Sequence, residues 1–299
     1  MSKIAEPTGA TYGNAGMHRL LIRLLRLIPV RVFYGIMYVF VVPVSMVVSS
    51  GARLTYRYFR QKRGYGRWRA LVDTYRNHCI FGQTVIDKFA MYAGHKFRIR
   101  YHGFDLYQQK CSEPQSVVLL NAHIGCSEIL GYSMNQTKPC NVMVYGGEKQ
   151  NLMAYRAASF GESNIKMIPV GTGGSHSEEI LSALERGEIV CAFADRFANQ
   201  RQVVVSSIFG HQVNLAKTPF SLAIAGRSDV FMVSAMKEKD GGYTAFFTPL
   251  QYDHTLPMNK QRQQLADGYT AEIERLLNIY PLQWFNYSDL WVDQLFAEK

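Results

Sequence analysis

His123 and Glu128, with four residues between them, close the run VVLLNAHIGCSE at 117–128. An imidazole near an ionised carboxylate is the pairing a general base needs: the ring takes up a proton, and the acid fixes its tautomer. The spacing alone says little, since 8 His and 23 acids in 299 residues give roughly 0.6 such pairs by chance. A strand-end His satisfied by a backbone carbonyl is the competing reading, so the choice rests on what surrounds the pair.

Val117 to Leu120 are four consecutive aliphatic residues, which suits a strand covered on both faces. His123 then stands at the carboxyl end of that strand, where open α/β sheets bind ligands. Gly125 permits a sharp turn, and Ser127 to Met134 can begin a helix with Glu128 in its first turn, a favourable place for a negative charge. A second loaded position is Asp195-Arg196, which ends the strand EIVCAFA at 188–194. Strand ends of a parallel sheet share one rim, so Asp195 can organise the His123 site. Arg196 can hold a phosphate or carboxylate; a solvated ion pair is the plainer alternative. Downstream, IFGHQVNLAKTPFSLAIAG offers a turn at Gly210, a polar rim that includes Lys217, and an apolar helix. Arg156, on an expected helix at 151–160, joins Gly125, Asp195, Arg196 and Lys217 as a substrate-binding or site-organising candidate. Cys126 can be read as a nucleophile or as small-side-chain packing.

The elements that must position these residues alternate. Strands are expected at 96–101, 117–120, 141–145, 165–170, 188–194, 206–209, 230–236 and 243–248. Helices are expected at 73–92, 127–134, 151–160, 177–186, 219–225 and 259–278. This is an α/β pattern with a mixed, largely parallel sheet flanked by helices. There is no G-x-S-x-G, P-loop or H-E-x-x-H. G171-T-G173-G174-S-H176 is a defective dinucleotide fingerprint, with His176 in place of its third glycine. The five cysteines show no metal-ligand spacing, so no metal site is expected, and an odd, scattered set suits a reducing compartment.

Charge divides the chain. Residues 17–76 hold 12 Lys or Arg against one acid, Asp73, while residues 77–299 hold 20 basic and 21 acidic residues. In the basic segment, LLIRLLRLI at 20–28 aligns Arg19, Arg23 and Arg26 on one helical face. The uncharged run of nineteen residues at 32–50 is then about as long as a bilayer core is thick. Arginines interleaved with Tyr56, Tyr58, Phe59, Tyr65 and Trp68 follow, as an anionic leaflet would favour. A buried core helix and a nucleic-acid-binding arm are the alternatives, but the second leaves the charge-free run unexplained. Basic residues on both sides of the run give no orientation. The organisation expected is a flexible tail at 1–16, a membrane-associating helical arm at 17–76 and a catalytic domain at 77–299.

Taken together, AHIGCSE at 122–128, FADR at 193–196, FG at 209–210, LAKTPFSLA at 215–223 and PLQWFNYSDLW at 281–291 resemble, in order and spacing, the bacterial late lipid A (lauroyl/myristoyl) acyltransferases of the lysophospholipid acyltransferase superfamily. Departures are Cys126-Ser127 for Asn-Trp, Arg196 for Gln, and Ser288 to Leu290 for the closing His-x-Arg. The resemblance implies a glycerolipid acyltransferase-like fold and acyl transfer in lipopolysaccharide synthesis. The donor would be an acyl-carrier-protein or coenzyme A thioester and the acceptor a hydroxyl or amine of a lipid A-type lipid. His123 would be the base and Glu128 its partner, with Asp195 as substitute, and backbone N–H groups around Gly125 or Arg196 would hold the oxyanion. No cofactor and no nucleic acid would be involved; membrane phospholipids would be partners, at the inner membrane with the catalytic domain facing the cytoplasm. The alternative is a catalytically inactive, membrane-tethered lipid-binding protein.

Overall fold

A computed structural model of the chain describes residues 15–133, 138–145, 164–170, 176–197, 201–288 and 290–292. The strand expected after residue 116 is Val117–Asn121 (β2), buried at every position. Its side chains alternate between two cores: Val118 and Leu120 enter one, Val117 and Leu119 the other. A strand buried on both faces needs helices above and below it. Met258–Ile279 (α10) supplies Leu265, Ile273 and Leu277 to the first core. Phe104–Ser112 (α6) and Glu128–Ser133 (α7) supply Tyr107, Ile129 and Leu130 to the second.

The remaining strands are Ile99–His102 (β1), Cys140–Tyr145 (β3), Ile165–Val170 (β4), Ile189–Phe193 (β5), Asp229–Lys237 (β8) and Tyr243–Leu250 (β9). They form one seven-stranded sheet in the order β1-β9-β8-β2-β5-β3-β4. Every neighbouring pair is parallel except β8–β9. The fold is thus the mixed, largely parallel α/β class. His176–Glu185 (α8) and Lys217–Ala225 (α9) are its other described helices on the sheet side.

One expectation is corrected. The strand read at 206–209 does not join the main sheet: Val203–Ile208 (β6) pairs with His211–Ala216 (β7) in a separate antiparallel hairpin. Phe209 and Gly210 have φ of 53° and 75°, the left-handed pair that matches a two-residue turn to strand twist. The hairpin lies on α10, where Ser206 Oγ bonds Asp267 and Thr270. The helix α6 was not expected either. The helix expected at 151–160, with Arg156, and the glycine-rich 171–175 lie outside the described residues.

The arm is helical: Ala15–Leu27 (α1), Val30–Ile36 (α2), a wider π turn at Met37–Val41, Val42–Val48 (α3) and Ser50–Arg57 (α4). In α1, His18, Ile22 and Leu25 are buried while Arg19, Arg23 and Arg26 face outward, as the helical period requires. The arm packs along Arg67–Tyr92 (α5), which runs unbroken through residues 76 and 77 into the body of the molecule. The apolar segment lies antiparallel to α5: Tyr34 donates to Asp87, the Tyr38 hydroxyl meets Gln83, and the Met37 sulfur occupies the notch at Gly82.

At the centre of this contact is a buried ion pair. Asp87 is fully buried and Lys237, at the end of β8, nearly so; the Asp87 carboxylate also accepts hydroxyls from Tyr34 and Tyr243. The ammonium sits 5.2, 5.7 and 5.0 Å from the ring centres of Tyr34, Phe97 and Tyr243. Removing one member strands the other charge in the interior. Asp87→Ala is therefore expected to lose about 3–5 kcal/mol in denaturant unfolding, while the double change Asp87→Leu/Lys237→Met restores most of it. An unmoved unfolding midpoint in Asp87→Ala would contradict this account.

Candidate active site

The site follows from strand register. Parallel β2 and β5 pair with Asn121 opposite Phe193, so the residues two places beyond each strand end, His123 and Asp195, are brought side by side. His123 Nδ1 lies 2.8 Å from Asp195 Oδ1, and the His123 backbone N–H donates to Asp195 Oδ2 at 2.7 Å. One carboxylate thus fixes both ring and main chain. The Asp195 side chain is 2 % exposed and the His123 side chain 26 %, so the acid is sealed while the ring still reaches the surface. Phe193 packs against the imidazole at 4.7 Å between ring centres.

Burial alone would raise the Asp195 carboxyl. The charge and two hydrogen bonds of His123, with the charge of Arg196, outweigh that and hold it below the usual carboxylate range. A third donor comes from the C-terminal strap. Asn286 Nδ2 donates to the Asp195 carbonyl at 2.7 Å and to Oδ2 at 3.2 Å. Sequence reasoning missed Asn286 as a site residue; the signal was its place in the closing motif, QWFN at 283–286.

The same strap holds the His123 loop. Phe285 N–H donates to His123 O at 2.7 Å, Gly125 N–H to Gln283 O at 3.0 Å, and Cys126 N–H to Ala235 O at 2.7 Å. Gly125 has φ of +59°, and a Cβ there would come 2.2 Å from the Ala235 oxygen, so only glycine fits. These bonds correct one expectation: the amides of Gly125 and Cys126 are already committed to carbonyls and do not face a developing oxyanion.

The carboxylate on the His123 ring is Asp195, the substitute partner, where the sequence pointed first to Glu128. Glu128 opens α7 and pairs with Lys88 of α5 at 2.5 Å. Arg196, half-buried beside Asp195, donates from Nε to Asn286 Oδ1 at 3.4 Å. Lys217 begins α9; the preceding Ala216 N–H donates to Ala194 O at 2.8 Å, which draws the start of that helix to the Asp195 loop. His123 and Asp195 are therefore brought together with Arg196 beside them, and the backbone at the start of α9 is drawn to the Asp195 loop, while Glu128 and Gly125 support the loop beneath. Cys126 is packing: burial pushes its thiol up to about 12, so almost no thiolate forms near neutral pH. Among the described residues no group of His, Cys, Asp and Glu could hold a metal ion.

The family model described as bacterial lipid A biosynthesis acyltransferase matches residues 82–293. The crystal structure of the 1-acyl-sn-glycerophosphate (LPA) acyltransferase PlsC from Thermotoga maritima is similar, at 14 % identity, over 90 % of this chain and 99 % of that one, with a TM-score of 0.38. No curated protein matches the chain.

The depressed Asp195 pKa makes stability depend on pH with a definite sign. A carboxyl held below its unfolded value, about 3.9, stabilises the fold at higher pH and loses that contribution as pH falls through the folded value. Asp195→Asn should thus be less stable than wild type at pH 7. The gap should narrow in denaturation series carried below about pH 4; a gap independent of pH would show that Asp195 is not held ionised.

Proposed function

Because the chain belongs to the bacterial lipid A biosynthesis acyltransferase family, we propose that this acyltransferase moves a fatty acyl chain from an acyl-carrier-protein or coenzyme A thioester to a hydroxyl (or amine) of a lipid A-type acceptor, with His123 as general base. The observation that carries the role of His123 is its doubly anchored contact with buried Asp195. With Nδ1–H given to the carboxylate, Nε2 keeps the lone pair and is the nitrogen that can take a proton. The acceptor O–H loses its proton to Nε2 as its oxygen attacks the thioester carbonyl. Collapse of the tetrahedral intermediate breaks the C–S bond, and the imidazolium returns the proton to the departing thiolate. Asp195 stabilises that imidazolium without itself being protonated.

With the amides of Gly125 and Cys126 engaged, positive charge at the rim is the better source of oxyanion stabilisation. Arg196 and Lys217 are the candidates, and either can also hold an acceptor phosphate. Glu128 acts through its pair with Lys88, which fixes the start of α7 next to the His123 loop. The transfer is direct: an acyl-enzyme on Cys126 would require a thiolate that burial suppresses. No cofactor is required, the acyl donor being a co-substrate.

The arm places this chemistry at a lipid surface. Val30–Val48 has a mean hydropathy of 1.9 and is long enough to cross a bilayer. However, one face is held by α5 along its length, and α5 carries Asp73, Arg76, Asp87 and Lys88. A spanning orientation would draw those charges into hydrocarbon at several kcal/mol each. We therefore infer that the segment lies in the interface, with Val39, Phe40, Val44, Val47 and Val48, all more than half exposed, buried among lipid chains. The inner membrane, with the catalytic residues on the cytoplasmic side where thioester donors are made, is the location this reading requires.

Two tests follow. His123→Ala should lower thioester-dependent acyl transfer by about 10²–10⁴-fold in protein still folded at the assay temperature, with some loss of unfolding temperature because Asp195 loses a partner, and Asp195→Asn should approach the same activity loss through the wrong tautomer. Near-wild-type turnover in His123→Ala, or lipid co-purifying with no product under any donor, would overturn the assignment. Separately, Phe40→Asp/Val47→Asp should move the protein from membrane pellet to supernatant with its melting temperature kept, because neither side chain supports the interior. Retention in the pellet would contradict the interfacial placement.

A further inference from the structure

Asp195 and Arg196 are adjacent in sequence and opposite in charge, and one side chain of the distant strap touches both. Asn286 Nδ2 donates to the Asp195 carbonyl at 2.7 Å and to its Oδ2 at 3.2 Å. At the other end of the amide, Oδ1 accepts from Arg196 Nε at 3.4 Å, from the Ser288 N–H at 3.3 Å and from the Ser288 hydroxyl. These partners fix which way the amide points. A carbonyl and a carboxylate only accept, whereas a guanidinium and a backbone N–H only donate. A flipped amide would set oxygen against oxygen and NH₂ against guanidinium. The strap also pins Asn286 from both sides. Phe285 N–H donates to His123 O at 2.7 Å. The Tyr287 hydroxyl donates to Asn77 Oδ1 at 2.9 Å, and its ring stacks on His78 at 5.2 Å between centres.

This geometry asks for polarity as well as packing. An apolar side chain of the same size would fill the space, yet it would leave Asp195 one donor short and take one acceptor from Arg196. The NH₂ end of the amide favours the ionised form of Asp195. The oxygen end draws the guanidinium toward that carboxylate, in a setting where aligned hydrogen bonds reinforce one another. Among the described residues, the charges that act on Asp195 are those of His123 and Arg196. The Tyr269 phenol, the other titratable group beside it, is kept neutral by burial and donates to the Asn121 carbonyl at 2.7 Å. A charge introduced at position 286 would therefore act on the His123–Asp195 pair with Arg196 as its main counterweight.

We propose that Asn286 is a positioning residue for acyl transfer: one end of its amide holds the carboxylate that orients His123, and the other holds the guanidinium that meets the substrate. Base and cation are thereby kept at a fixed separation by a single side chain. This rests on the acyl-transfer reading above, but its test separates the two.

In the full-length protein, Asn286→Asp keeps the size of the side chain and its acceptor toward Arg196 and Ser288, but sets an anion where Asp195 has a donor. A second carboxylate there favours the protonated imidazole. The acidic limb of kcat/KM should thus move up by about one pH unit, the size of a screened charge one carboxylate away from the ring. The rate loss should be greatest below that limb and shrink above it. Asn286→Leu, of similar size and without charge, should lower kcat/KM about 10- to 100-fold, the range of one hydrogen bond to a charged group, with most of the loss independent of pH. Losses in both variants with an unmoved limb in Asn286→Asp would show a packing role alone and overturn the proposal, as would unchanged rates in both. A second readout needs no turnover. In protein labelled with ¹³C at the histidine rings, the resonance missing from His123→Ala reports the His123 ring, and its titration midpoint should rise by about one pH unit in Asn286→Asp. An unmoved midpoint would overturn the proposal even if His123→Ala proves inactive. A moved midpoint in a protein whose wild type transfers no acyl chain would overturn the transfer reading alone and leave Asn286 as the group that positions the pair.

Discussion

The in-register pairing of β2 with β5 is the constraint on which the site depends. Residues opposite each other in parallel strands stay neighbours for a step or two beyond the strand ends. Here that brings an imidazole against a carboxylate without any specialised loop. A buried carboxylate is costly unless its oxygens are satisfied. Asp195 meets that condition with the His123 ring, the His123 N–H and the Asn286 amide. The donors that make the buried acid tolerable are those that orient the imidazole, so folding and positioning are one requirement.

The strap and the arm extend the requirement outward. Residues 283–285 run beside the His123 loop as an extra edge, joined by backbone hydrogen bonds on both sides of Ile124. The Gln283 side chain clamps the Lys237 main chain at 2.8 and 2.7 Å, and Asn77 of α5 donates to the carbonyls of Leu282 and Trp284. The helix that carries the apolar arm therefore also braces the strap over the site. Arm, ion pair, strap and imidazole form a connected set of contacts, so disturbance at the exposed apolar face of the arm has a physical route to the imidazole.

Much of this was legible before coordinates. Strands β2, β4, β5, β8 and β9 stand out as short apolar runs between turn signals, and the shared rim of parallel strands put Asp195 beside His123. What was not legible was long-range or locally weak. The four-residue gap from His123 to Glu128 is visible in one dimension, whereas the 72-residue separation from His123 to Asp195 closes only through sheet pairing. Strand β7, HQVNLA, mixes polar and apolar residues and reads as a rim until its partner hairpin strand is known. Helix α6 is short, follows Gly103, and has too little periodicity to declare itself. Which backbone amides are free depends on the strap, which lies some 160 residues downstream of the loop it occupies.

Division of labour between the two acids follows from where each is held. Asp195 is sealed and hydrogen-bonded at both oxygens, which suits a carboxylate held ionised in the interior. Glu128 is half-buried against an ammonium on α5, which suits a support whose charge is neutralised locally. Two carboxylates on one imidazole would crowd like charges in a low dielectric and raise the pKa of one of them. Separating them leaves a single acid in contact with the ring.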